Sequence, residues 1–202
     1  MTSDEHPLDD PGQVIESHHD HLPVATMQRL ALFRYLYVLG INQTRQPEPL
    51  AALAVLSLHD SVELFLHLCA EHADAQRGQL SRGKMLKFEE YFGIINEAIA
   101  PRRLSHQAAM VRLNEARIGL KHHGTATARL TVEQLGADVT RFFGDNTPVV
   151  FSTEFGNISM ANLVASDSAR TYLRNAEAEL ESGNTEAASE FIAVAFQHLI
   201  RE

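Results

Sequence analysis

The sequence predicts an all-α fold: a helical bundle followed by a C-terminal αα-hairpin. Three observations carry that prediction. Apolar residues recur at three-to-four spacing along nearly the whole chain. Helix-starting and helix-stopping residues bracket the periodic runs, as Ser105 and Gly124 do. Hydrophobic residues make up 45% of the 202, enough for one domain with a substantial core.

Each element has its own reason. Residues 1–22 lack periodicity, contain Pro7, Pro11, Gly12 and the run His18-His19-Asp20-His21, and read as a disordered acidic tail. A first helix is expected over 27–39, with Thr26 as its cap and Gly40 as its stop; Leu30, Phe33 and Leu36 or Tyr37 form its apolar face. Two prolines make 42–49 a loop. A long second helix follows at about 50–73. Its stripe of Ala54, Leu58, Val62, Phe65 and Cys69 faces the core, widened by Val55 and Leu66. After a loop at 77–83, a third helix fits 84–99, stopping ahead of Pro101. A fourth fits 106–123, with Ser105 as N-cap and Gly124 as a left-handed C-cap. A fifth fits 132–143, opened by a Thr131–Gln134 capping box. Residues 148–151 read as a short extended stretch, and 159–164 as one or two helical turns.

The chain then forms a hairpin. One helix covers 167–181, Ser182-Gly183-Asn184 turns the chain, and Thr185 caps a last helix to about 201. The division is thus a tail at 1–22, a bundle at 23–165 and the hairpin at 166–202. The last helix is apolar over a wide face (Phe191, Ile192, Val194, Phe196, Leu199 and Ile200), which calls for cover by the bundle, a second subunit or further chain.

Composition excludes several classes. A single cysteine, Cys69, rules out a disulfide framework or a cysteine-rich zinc site and points to a reducing, cytoplasmic setting. The apolar run at 50–58 stops at His59 and Asp60, short of the roughly 20 residues of a membrane span. The first residues hold no apolar signal core. Gly-rich phosphate loops and Ser-His-Asp elbows are missing too. The net charge of −9 argues against a nucleic-acid partner only as an average. By segment the charge is −6 over 1–22, −2 over 23–75, +6 over 76–129 and −7 over 130–202. Charge acts by patch, so the basic quarter can still meet an anionic partner.

That quarter holds the densest chemistry. In the fourth helix, Ala109, Leu113, Ala116 and Leu120 make the buried stripe, while Asn114, Arg117 and Lys121 project together from another face. His122 and His123 occupy the last turn, where the carbonyl end of a helix favours protonated imidazole. Arginine grips phosphate with a forked contact and histidine moves protons near neutral pH, a combination suited to metal-free RNA cleavage. Arg117 and His122 stand about 140° apart on an ideal helix. They converge only if the last turn deforms or two chains share one cleft. On the second helix, Asp60, Glu63 and His67 form a polar stripe. Asp60 or Glu63 is expected to pair with Arg117 unless the stripe is simply an exposed edge. No metal or cofactor is expected. His59 and His67 are too far apart for the usual i, i+4 ligand pair, His18, His19 and His21 belong to the tail, and Cys69 lies on the apolar stripe as an inert thiol.

The string Leu113-Asn114-x-x-Arg117-x-x-x-Lys121-His122-His123-Gly124 resembles the signature of the HEPN superfamily, small all-helical domains of prokaryotic toxin and defence systems. Their hallmark is Arg-x(4–6)-His near the end of a late helix, and both His122 and His123 fit it. Supporting context runs over 50–165: an apolar helix with embedded acidic residues, then the motif, then Arg141-Phe142-Phe143, then the segment 155–163. The resemblance implies a metal-independent endoribonuclease or RNA-binding protein. It would work as a homodimer whose two motifs meet, with an antitoxin or other protein as a further partner. Arg117 would hold phosphate and His122 or His123 would transfer protons. Asn114 and Lys121 would position RNA, and Asp60 or Glu63 would orient Arg117. Many active members carry a polar residue directly after the arginine, whereas this chain has Ile118. Ile118 fits the other role the superfamily offers, a catalytically inactive dimerisation or protein-interaction module.

Overall fold

The computed structural model describes residues 22–75 and 86–201. Among these residues there are seven α-helices and short 3-10 turns, and no strand. Helices α1 (Val24–Thr44) and α2 (Ala54–His72) pack along one another, and α3 (Glu90–Ala98), α4 (Gln107–His123) and α5 (Arg129–Phe151) close around α2. Helices α6 (Asp167–Glu181) and α7 (Thr185–Arg201) make the hairpin. The fold is all-α, as the periodicity predicts. The expected tail up to residue 21 and the loop at 77–83 lie outside the described residues; the third helix, expected from 84, begins only at Glu90, with 86–89 forming loop and turn ahead of it.

Helix α2 is the axis of the core. Ala54, Val55, Leu58, Val62, Phe65, Leu66 and Cys69 are all fully buried, so its expected stripe is the one the fold uses. Phe65 meets Phe142, Phe143 and Phe151 edge-on, at ring-centroid distances of 5.5, 5.2 and 5.7 Å. Together with the 3-10 turn that precedes it, α2 is the one described stretch long and apolar enough to cross a membrane, and most of it is buried inside the bundle. Burial raises the pKa of the Cys69 thiol well above the ordinary range, so it stays protonated and unreactive.

Several helix ends differ from the expectation, each for a tertiary reason. Helix α1 starts at Val24 behind Pro23, without a cap from Thr26, and runs through Gly40 to Thr44. Gly40 is buried where α1 crosses α2; a Cβ there would lie 2.7 Å from Leu58 Cγ. It is a close-contact glycine and not a stop signal. The same pair of helices is clamped by a forked contact between Arg29 and Glu71, which holds the Glu71 carboxyl below its usual range.

Ser105 does not cap α4. Its N–H donates to Asn146 Oδ1 at 2.8 Å, and the residue ahead of the helix is His106, with φ of 64° and its ring 2.6 Å from Asp145. Helix α5 begins at Arg129, so Thr131 falls inside its first turn and the Thr131–Gln134 capping box does not form. A distant carboxylate serves instead, with the Arg129 N–H donating to Glu48 Oε1 at 3.0 Å. The stretch 148–151 is helical and not extended, because α5 continues through Pro148. The carbonyl that loses its donor there belongs to the exposed Gly144, where water can serve it, and the burial of Val150 and Phe151 holds the last turn in place.

The hairpin begins where it is expected. Ser166 caps α6 by accepting the N–H of Ala169 at 3.2 Å. Asn184, not Thr185, caps α7 by accepting the N–H of Ala187 at 3.3 Å. The seam between the helices is built from Ala176, Ala188 and Ala195, small enough to let the backbones approach. Arg170 ties α6 to the carbonyls of Val164 and Ala165, joining it to the 3-10 turn at 160–163. On α7, Ile192, Phe196, Leu199 and Ile200 remain exposed, so the described bundle is not what covers that face.

Candidate functional site

The polar cluster of the bundle forms where α2 meets α4, and its centre is a histidine. His59 follows the core residue Leu58 and is only 1% exposed. Its ring stacks on Phe88 with centroids 5.0 Å apart. Its Nε2 lies 3.0 Å from Asn114 Oδ1 on α4. With the Asn114 amide in this orientation its oxygen accepts, so Nε2 donates and Nδ1 presents its lone pair. Among the described residues Nδ1 has no hydrogen-bond partner within 3.5 Å. It stands 3.6 Å from Asp60 Oδ1 and 3.8 Å from Glu63 Oε2.

Burial lowers the His59 pKa, and the Arg117 charge adds to the effect; Glu63 and Asp60 oppose it without reversing it. The ring is therefore neutral at pH 7, and its contacts with the two carboxylates are not ion pairs. A consequence for stability follows. Below the ordinary histidine value of 6.5 the unfolded chain takes up a proton that folded His59 resists. The contribution is complete above 6.5 and falls as pH drops from there toward the folded value. Thermal melts from about pH 7.5 to about pH 5.5 should show a declining midpoint, with a shallower decline in His59→Gln. An identical decline in both proteins would locate the titration elsewhere.

Arg117 sits one helical turn beyond Asn114, half-buried, and among the described residues it is in no ion pair or hydrogen bond. Its charge reaches His59. Asp60 is exposed and Glu63 half-buried; both turn to His59 and do not pair directly with Arg117. Lys121, His122 and His123 are exposed in the last turn of α4. That turn stays regular: Gly124 is left-handed, its N–H donates to Leu120 O at 3.1 Å, and the Thr125 N–H donates to Gly119 O at 3.1 Å. The separation of about 140° between Arg117 and His122 therefore stands. One chain brings Asn114, Arg117, Asp60 and Glu63 together around His59, and leaves His122 and His123 on other faces of the helix.

His59 is the site residue that sequence reasoning missed. Its signal was the spacing His59, Asp60, Glu63, but it lies inside an apolar run, and what gives it meaning is Phe88 and Asn114, far away in sequence. The positive charge of the middle segment is also redistributed by the fold. Arg112 pairs with Asp138, as does Arg141. Arg129 pairs with Glu133. Arg102 and Arg103 precede α4 while Arg117 and Lys121 lie toward its far end, some 20 Å away at about 1.5 Å per residue. No family model, curated protein or solved structure matches this chain.

Proposed function

We propose that this chain is a HEPN-like protein of a prokaryotic toxin or defence system, one that binds RNA in the cytoplasm and cleaves it without a metal as a homodimer. The observation that supports this reading is Arg117: half-buried beside Asn114, unpaired among the described residues, and set against the polar cluster of α2. An arginine kept out of ion pairs retains its whole fork of donors for a phosphate. Arg117 and His122 lie on different faces of a regular helix, so catalysis in this reading needs a second copy. Two α4 C-termini meeting about a two-fold axis would bring one chain's Arg117 to the other's His122 or His123. One imidazole would take the proton of a 2′-hydroxyl and a protonated one would give a proton to the departing 5′ oxygen. Asn114 and Lys121 would position the strand.

Cleavage of single-stranded RNA in EDTA tests this. The intact protein is expected to cleave, with Arg117→Ala and the double change of His122 and His123 to Ala each losing about a hundredfold or more. Cleavage untouched by either change would overturn the mechanism.

A second reading, a catalytically inactive dimerisation or protein-interaction module, is favoured by the exposed stripe of Ile192, Phe196, Leu199 and Ile200 and by Ile118 after Arg117. Failure of the intact protein to cleave, together with a dimer broken by Phe196→Glu, would support it over the first.

A further inference from the structure

We infer that His59, Asp60 and Glu63 form a binding site for one divalent first-row transition-metal ion, with Zn²⁺ the best match to the donor set. The first observation is the buried Nδ1 of His59, 1% exposed as a residue and without a hydrogen-bond partner, facing two carboxylates. A buried lone pair that no described side chain or backbone group satisfies, aimed at two anions, is an arrangement that a cation completes. The second is the spacing. The three donor atoms lie within 4.8 Å of one another, with Nδ1 to oxygen distances of 3.6 and 3.8 Å. Ligands about 2.1 Å from a tetrahedral ion stand about 3.4 Å apart, so small side-chain rotations close the site.

The surroundings fit as well. Metal-binding imidazoles commonly give their other N–H to an oxygen that fixes tautomer and ring plane, and Asn114 Oδ1 does this here while Phe88 stacks on the ring. One nitrogen and two carboxylate oxygens favour zinc and its neighbours over magnesium, which prefers oxygen and retained water. Asp60 is exposed and Glu63 half-buried, so the outer coordination positions open to solvent. Two carboxylates neutralise the ion. Arg117, close enough to act on His59, opposes it and holds the affinity down. Sequence reasoning passed over the site by looking for a second histidine, whereas the partners are the carboxylates beside His59 and one turn on.

The inference is independent of the RNA reading. Its test contains no RNA, and the cleavage assay contains EDTA, so either can fail without the other. Calorimetric titration with Zn²⁺ is done on the full chain carrying His18→Ala, His19→Ala and His21→Ala, which removes the competing run near the N-terminus. One equivalent should bind, and the melting midpoint should rise with Zn²⁺ concentration. Asp60→Asn and Glu63→Gln, which keep shape and lose charge, should each weaken binding about tenfold or more, and Arg117→Gln should strengthen it. Circular dichroism checks that each variant is folded. Absence of the equivalent in this chain, or an equivalent indifferent to both carboxylate changes, would overturn the site.

Discussion

Phe65→Ala is expected to lower the unfolding free energy by about 3–5 kcal/mol. Phe65 is fully buried, and its ring meets Phe142, Phe143 and Phe151 edge-on. Truncation removes those contacts and leaves a cavity whose walls are themselves rigid rings, so relaxation can recover little. Against a total of about 5–15 kcal/mol for a domain, the loss is a large share. Urea melts should show the midpoint falling with an unchanged slope. Leu130→Ala is the control: Leu130 is 67% exposed on α5, and its removal should cost no more than about 0.5 kcal/mol. A loss at Phe65 as small as that at Leu130 would remove the aromatic centre as the basis of the core.

Gly40→Ala should destabilise the protein while Gly144→Ala stabilises it. Both glycines are inside helices, where alanine is worth about 1 kcal/mol more than glycine. At Gly144 nothing lies within 4 Å of an added Cβ, so the propensity gain is realised. At Gly40 the Cβ would fall 2.7 Å from both Leu58 Cγ and Leu58 Cδ2, and 3.2 Å from the Leu58 backbone N. Leu58 is fully buried, so its side chain has no space to yield, and α1 must lift from α2. Overpacking of that kind costs about 1–3 kcal/mol, exceeding the propensity gain. Thermal melts of the two variants decide it, with midpoints moving in opposite directions. A rise for both would mean that the crossing is looser than the distances indicate.

These two positions also show how far the sequence could be read. Phe65 was legible as core because it repeats at helical spacing with Leu58, Val62 and Cys69. Gly40 was legible as special but assigned the wrong role, since a stop signal and a close-contact glycine are the same letter. Thr26, Ser105 and the Thr131–Gln134 pair met the same difficulty. Each could cap a helix, but the donors at these ends were served otherwise or the helix began elsewhere. The expected fifth helix stopped at 143, and 148–151, opened by Pro148, read as extended on local grounds; the burial of Val150 and Phe151 carried α5 through it.

For the candidate site, the sequence placed Asn114, Arg117 and Lys121 on one face of α4, and it expected Asp60 or Glu63 on α2 to pair with Arg117, whereas both carboxylates turn to His59. It also set His122 and His123 in the final turn, which the left-handed Gly124 closes as expected. The periodicity of apolar residues thus determined that the chain is helical, which stripe of α2 is buried and which turn of α4 ends at Gly124. Those properties depend on residues three or four apart on one helix, and spacing alone decides them. The tertiary structure decided that His59 is the buried centre of the polar cluster, that its Nδ1 faces two carboxylates, and that Gly40 is a crossing point. These depend on Leu58 against Gly40 and on Phe88 and Asn114 against His59, contacts between segments that no local pattern relates. A helix's own geometry is written in its period, but its neighbours are chosen by how the whole surface packs.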